Sequence, residues 1–171
     1  MRNTKNFINP ELTCAERQQM YFCYSSLEPI LENSFEEIDP INLSPDSYSG
    51  ELSAFLRDQN LTGWSASKTV IANHGISYKC GDVLVLGRNG PSLAVAILKV
   101  LASKDNQLKF ILETTSALFI PAHGCYEIDI DSTGILIQLS PESFKYPVPQ
   151  PAYSKGKKML ISLKHTILED E

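Results

Sequence analysis

Lys68-Thr69-Val70-Ile71-Ala72-Asn73-His74-Gly75-Ile76-Ser77-Tyr78-Lys79-Cys80-Gly81-Asp82-Val83-Leu84-Val85-Leu86 is the stretch that decides the fold class. Short runs of β-branched and apolar residues alternate here with residues that turn the chain, the pattern of strands joined by tight connections. Lys68 to Ala72 reads as a first strand, Asn73-His74-Gly75 as a turn needing positive φ, and Ile76 to Lys79 as the return strand. Cys80-Gly81-Asp82 then turns the chain into Val83-Leu84-Val85-Leu86, whose unbroken apolarity predicts burial on both faces.

Downstream the same grammar continues. Arg88-Asn89-Gly90-Pro91 is a turn, and Leu93 to Ala102 is apolar almost throughout. Its β-branched Val95, Ile97 and Val100 favour a strand over a buried helix. Leu108, Phe110 and Leu112 alternate with Lys109 and Glu113, which indicates a half-exposed antiparallel strand with Ile111 on its outer face. Cys125–Ile130 and Ile135–Leu139 are further strands, expected to form a hairpin through Asp131-Ser132-Thr133-Gly134. In the tail, Pro147, Pro149 and Pro151 alternate in an extended strap. Tyr153 to Lys158 turns this strap, and a last strand runs from Met159 to His165.

Upstream of Trp64 the chain is different. Thr13 and Glu16 form a capping-box pattern that opens a helix over 13–26, with Met20, Tyr21, Tyr24 and Leu27 on one stripe. Pro29, Pro40 and Pro45 interrupt an acidic connector over 29–48, and Glu51 to Asp58 forms a short helix with Leu52, Phe55 and Leu56 on its buried face. The expectation is therefore a mainly β fold, a small antiparallel barrel or sandwich, with an N-terminal helical arm, α+β overall. Residues 1–62 form the arm, 63–145 the β-rich domain, and 146–171 a Pro-rich strap and final strand packed on it.

Charge follows the same division. Residues 1–62 carry −6, 63–145 are neutral, and 146–171 carry +1, for a total of −5. A phosphate-binding surface needs clustered cations, and only Lys155, Lys157 and Lys158 supply a cluster, so nucleic acid is disfavoured as a partner. No apolar run approaches the ~20 residues of a membrane span, and the N-terminus lacks the apolar stretch of a signal peptide. Cys14, Cys23, Cys80 and Cys125 show no CxxC spacing and read as reduced thiols. An intracellular, cytoplasmic or nuclear protein without a membrane partner is expected.

The succession from Ile76 to Gly87, then an apolar strand, a lysine-bearing hairpin and the closing Lys164-His165-Thr166-Ile167-Leu168, resembles a family. It is similar to the C-terminal β-rich module of multicopy, uncharacterised animal proteins of mobile-element derivation, and more loosely to SH3-like barrels. The similarity covers residues 63–168, and its Tyr-x-x-Gly-Asp-Val motif is ordinary turn chemistry. It implies a β-rich module at the end of a larger element-encoded protein, or a shortened copy that kept the module. It brings no catalytic residues with it.

Candidate sites divide into three groups. His74, Cys80, His123 and Cys125 supply four N/S donors, but His74 and Cys80 do not have the two-to-four-residue spacing of a zinc knuckle. Glu127, Asp129 and Asp131 alternate as on the solvent face of a strand, a bland explanation for a row that also suits Mg²⁺. Trp64, Tyr78, Phe110, Phe119 and Tyr126 are candidates to line a groove for peptide or methyl-lysine, or else to fill the core. No Gly-x-Ser-x-Gly turn or orienting carboxylate accompanies a nucleophile, and no cofactor is implied. The sequence therefore favours a non-catalytic module binding a protein partner. A Cys/His- or metal-dependent enzyme domain and a nucleic-acid-binding accessory domain are the alternatives.

Overall fold

The structure is a computed structural model, and it describes residues 35–72, 75–129, 131 and 134–163. The expected helix over 13–26, His74 and the end of the final strand at 164–165 lie outside the described residues. In chain order the elements are β1 (Phe35–Ile38), β2 (Ile41–Asn42), α1 (Gly50–Asp58), β3 (Ser65–Ser67), β4 (Thr69–Ala72), β5 (Ser77–Lys79) and β6 (Val83–Asn89). They continue with β7 (Ser92–Lys104), β8 (Gln107–Ile120), β9 (Cys125–Asp129), β10 (Ile135–Leu139), β11 (Ala152–Lys155) and β12 (Lys158–Ile161). The fold is mainly β, as expected. Among the described residues no helix is long and apolar enough to cross a membrane.

The long hairpin β7–β8 is the spine, paired antiparallel from Ser92↔Leu118 to Lys104↔Gln107. Its turn, Asp105-Asn106, has both residues at positive φ, the geometry that matches the twist of the flanking strands. Each spine strand is flanked by two short strands laid end to end. β6 pairs with the first half of β7 and β3 with its last residues, while β10 pairs with the first half of β8 and β9 with its last residues. The expected β9–β10 hairpin is thus corrected: both strands add to β8, one after the other along its length. A 14-residue strand offers more ladder than one five-residue neighbour can fill.

A register shift between Leu98 and Val100 in β7 gives the spine two differently covered faces. Ala96, Leu98 and Leu101 turn to one face with Phe110 and Leu112, where the three-stranded sheet β1-β4-β5 packs through Val70 and Tyr78. Val100, Ala102 and Ile111 turn to the other, beneath α1, with Leu43, Leu56, Leu61 and Trp64. Ile111 is therefore 0% exposed, because the helix covers the face that alternation alone marks as outer. Val83 and Val85 point to a third cluster while Leu84 joins the first, so the apolar run in β6 is buried on both sides as expected.

Residues 35–42, read as irregular connector, instead form two edge strands. β1 pairs with β4 from Phe35↔Ala72 to Ile38↔Thr69, and β2 pairs with β3. An edge strand needs one row of ladder bonds and little apolar content, and Phe35 supplies the contact with the core. The helix is as expected: it spans Gly50–Asp58 with Leu56 fully buried, and Ser53 Oγ donates to Pro45 O at 2.9 Å.

The main sheet continues from β8 through β9 and β12 to β11 and curls into an antiparallel half-barrel. Val83, Val85, Leu93, Val95, Ala117, Tyr126, Ile128 and Ile161 fill its concave side. Its two free sides meet at one point, where Gln150 N–H in the Pro-rich strap donates to Val83 O at 2.8 Å.

Candidate binding edge and the sequence-predicted residues

β11 and β12 form a tight hairpin that closes at Lys155↔Lys158. Gly156 sits at φ +64°, the conformation that a two-residue hairpin turn requires of its first central residue. The sequence marks this hairpin only by Gly156 and by the alternation of Tyr153, Ser154 and Lys155. Residues 153–158, expected as a turn alone, in fact include the strand β11 up to Lys155, the turn itself being Gly156-Lys157.

In an antiparallel strand successive backbone groups point alternately to opposite sides. Pro151 O accepts from Ser162 N–H on the β12 side, whereas Gln150 N–H reaches Val83 on the other. By that alternation Tyr153 and Lys155 bond to β12, and the N–H and C=O groups of Ala152 and Ser154 face away from it. No described strand pairs with them there. β6 does not, because Cys80-Gly81-Asp82 turns its chain away just before Val83, with Gly81 at φ +94°. All four residues of β11 are exposed, Tyr153 at 54%.

Side chains obey the same parity. Ile161 and Met159 point into the half-barrel, so Lys158 and Leu160 point outward, and their register partners Tyr153 and Lys155 do so too. On this outer face a register row runs Leu118, Glu127, Leu160, Tyr153 across β8, β9, β12 and β11. Leu118 and Tyr153, at its two ends, are exposed.

The acidic row and the basic cluster of the sequence come together here. Lys158 Nζ donates to Glu127 Oε1, and that bond raises the lysine pKa. Lys157 Nζ lies 3.2 Å from Asp131 Oδ2, and Asp131 N–H donates to Asp129 Oδ1 at 3.0 Å. Cross-strand ion pairing accounts for two of the three lysines. Lys155 has no ion-pair partner among the described residues, and it stands directly opposite Lys158.

The five candidate aromatics do not line one groove. Tyr78 and Phe110 are buried at 4.8 Å between ring centroids, and Phe144 stacks on Phe110 at 5.6 Å. Burial pushes the Tyr78 phenol up to about 12. Trp64 lies in the cluster beneath α1, with Lys109 Nζ 4.6 Å from its ring centroid. Phe119 and Tyr126 pair at 5.3 Å, and only Phe119 of the five is exposed, at 46%.

Among the metal candidates, Cys80 Sγ is turned to Ser67 O at 3.8 Å, and burial of the thiol raises its pKa. Cys125 is buried at the start of β9, and His123 is exposed in the preceding turn. No three His, Cys, Asp or Glu side chains gather closely enough to hold a metal ion among the described residues. A cleft of about 330 Å³ lies at the C-terminal end of α1, lined by Leu43, Pro45, Leu56, Arg57, Leu61 and Thr62 among others, with Arg57 paired to Asp46.

Comparison with known proteins finds no family model, no curated protein and no solved structure that matches this chain. The fold and the exposed edge therefore stand on their own geometry: a mainly β protein built on a curled antiparallel sheet, with β11 at one end pairing on one side with β12 and with no described strand on the other.

Proposed function

We propose that this chain is a non-catalytic protein-interaction module that binds an extended segment of a partner along β11. One observation carries this reading. The outward N–H and C=O groups of Ala152 and Ser154 lie on an exposed strand end where β6 turns away. Such an edge accepts a peptide as an added strand, main-chain bonds giving affinity and alternate side chains giving selectivity. The single closure at Gln150 and Val83 favours a small-barrel description, in which the binding edge is one side of the barrel's seam.

The nucleic-acid alternative is less favoured, since Lys157 and Lys158 already face Asp131 and Glu127. For the enzyme alternative, the His/Cys candidates contribute no converging set among the described residues.

The test is amide chemical-shift mapping of the full chain against a panel of ten-residue β-forming peptides. Binding at β11 shifts the Ala152 and Ser154 amides first. Ser154→Pro removes an outward donor without touching the bonds to β12, and it abolishes those shifts. Shifts confined to other elements, or none with any peptide, would refute the reading.

A further inference from the structure

The outer face of the β11–β12 hairpin also constrains what the partner carries. We infer that the added segment is acidic and amphipathic, placing an apolar residue beside Tyr153 and a carboxylate two positions away beside Lys155. This rests on the proposed interaction at β11 and specifies its ligand.

The two positions follow from strand parity. Tyr153 and Lys155 share the outer face, and residues two apart on an added strand lie beside them. At Tyr153 the next strand continues the row that already contains Leu118 and Leu160, so an apolar side chain there covers ring surface now in water. At Lys155 the need is electrostatic. Like charges directly opposite each other on one face destabilise a strand pair, and Lys155↔Lys158 is such a pair. Lys158 is compensated by Glu127 on its far side, whereas Lys155 has no carboxylate among the described residues. A carboxylate from the added strand occupies the remaining side of Lys155, so that the adjacent Lys158 and Lys155 are flanked by one carboxylate on each side, Glu127 on one and the ligand's on the other.

Lysine on an edge strand also discourages unselective pairing with apolar strands. That effect and the preference for acid have one origin, since an uncompensated ammonium penalises every added strand except one that neutralises it. A partner with lysine or arginine at that position is repelled by Lys155, since Lys157 and Lys158 already face Asp131 and Glu127.

The experiment uses two fluorescein-labelled ten-residue β-forming peptides that differ only in the residue two positions from a valine, glutamate in one and lysine in the other. Fluorescence anisotropy with the full chain at low salt gives their affinities. Exposed ion pairs contribute modestly, so exchanging attraction for repulsion at one site changes affinity by about tenfold. The glutamate peptide is expected to bind about tenfold more tightly, the preference to shrink with added salt, and Lys155→Glu to reverse it. Lys155→Glu is an exposed substitution that leaves the fold intact, and Ser154→Pro serves as the control for the site.

Equal binding of the two peptides, both lost with Ser154→Pro, overturns the acidic preference and leaves the interaction at β11 standing. Binding of neither peptide overturns both. Concentration-dependent dimerisation that Ser154→Pro abolishes and the glutamate peptide does not displace also overturns the inference, because the occupant is then a second copy of the chain.

Discussion

Gly134→Ala tests the way β10 is seated on the spine. A Cβ at this position would lie 2.2 Å from Thr114 O and 2.7 Å from Glu113 Cγ. The first atom is backbone of the central strand, so no rotamer change relieves the clash. Either β8 yields, which disturbs the fully buried Leu112 beside it, or the start of β10 moves outward. Outward movement gives up the Thr114 Oγ1–Ile135 O bond of 3.0 Å and the Gly134 N–H bond to Glu113 Oε1 of 3.2 Å, and it loosens Ile137 over the first core cluster. Overpacking against well-ordered structure costs about 1–3 kcal/mol, and a backbone obstacle puts this case at the upper end, roughly 2–3 kcal/mol. For a chain of this size that corresponds to a fall in Tm of roughly 6–9 °C. Thermal and urea unfolding measure the loss, and Ile135→Ala, at a side chain 73% exposed, is the control expected within about 0.5 kcal/mol of the parent. A Gly134→Ala variant that melts within about 2 °C of the parent would show that β10 does not approach Thr114 closely.

Three further substitutions probe the covered faces. Ile111→Ala should cost about 3–4 kcal/mol in urea unfolding, as a fully buried isoleucine under α1; a cost below about 1 kcal/mol would mean the helix does not cover that face. Ser103→Ala should be neutral or stabilising by up to about 1 kcal/mol, because the buried Ser103 Oγ has no hydrogen-bond partner among the described residues, and a clear destabilisation would reveal one. Lys99→Met removes the 2.9 Å partner of Glu113, whose pKa is held below the usual carboxylate value first by that bond and then, against desolvation, by Gly134 N–H. A carboxylate depressed in the folded state adds stability above its unfolded pKa of about 4.3 and loses it as pH falls through the folded value. The gap between parent and Lys99→Met should therefore be constant, and under about 1 kcal/mol, at neutral pH and close in acid; a gap that widens below pH 4 would contradict the assignment.

The residues show why some of this fold was legible in sequence and some was not. Val83-Leu84-Val85 announced burial on both faces because each side of β6 meets its own cluster, so composition alone carried the message. Ile111 was misplaced for the opposite reason. Periodicity reports which residues share a face, and it is silent on whether a helix more than 50 positions earlier in the chain returns to cover that face. The β9–β10 connection failed likewise, since Asp131-Ser132-Thr133-Gly134 is good turn chemistry whether the strands beside it pair with each other or with a third. What decides is the length of β8, and its polar middle, Thr114-Thr115-Ser116, concealed that length by resembling a break between strands.

The candidate edge was harder still to see, because it is defined by what stops. Tyr153, Lys155 and Lys158 are unremarkable as letters, and the lysines read as a basic cluster until Asp131 and Glu127 are set beside two of them. The property that matters is the divergence of β6 from β11 after Gln150, caused by the turn at Gly81, some seventy residues earlier. A local pattern cannot encode that separation. On the proposed reading, selectivity at this edge would follow from Lys155, the one lysine of the β11–β12 hairpin without an ion-pair partner among the described residues, and Lys155→Glu is where that is tested.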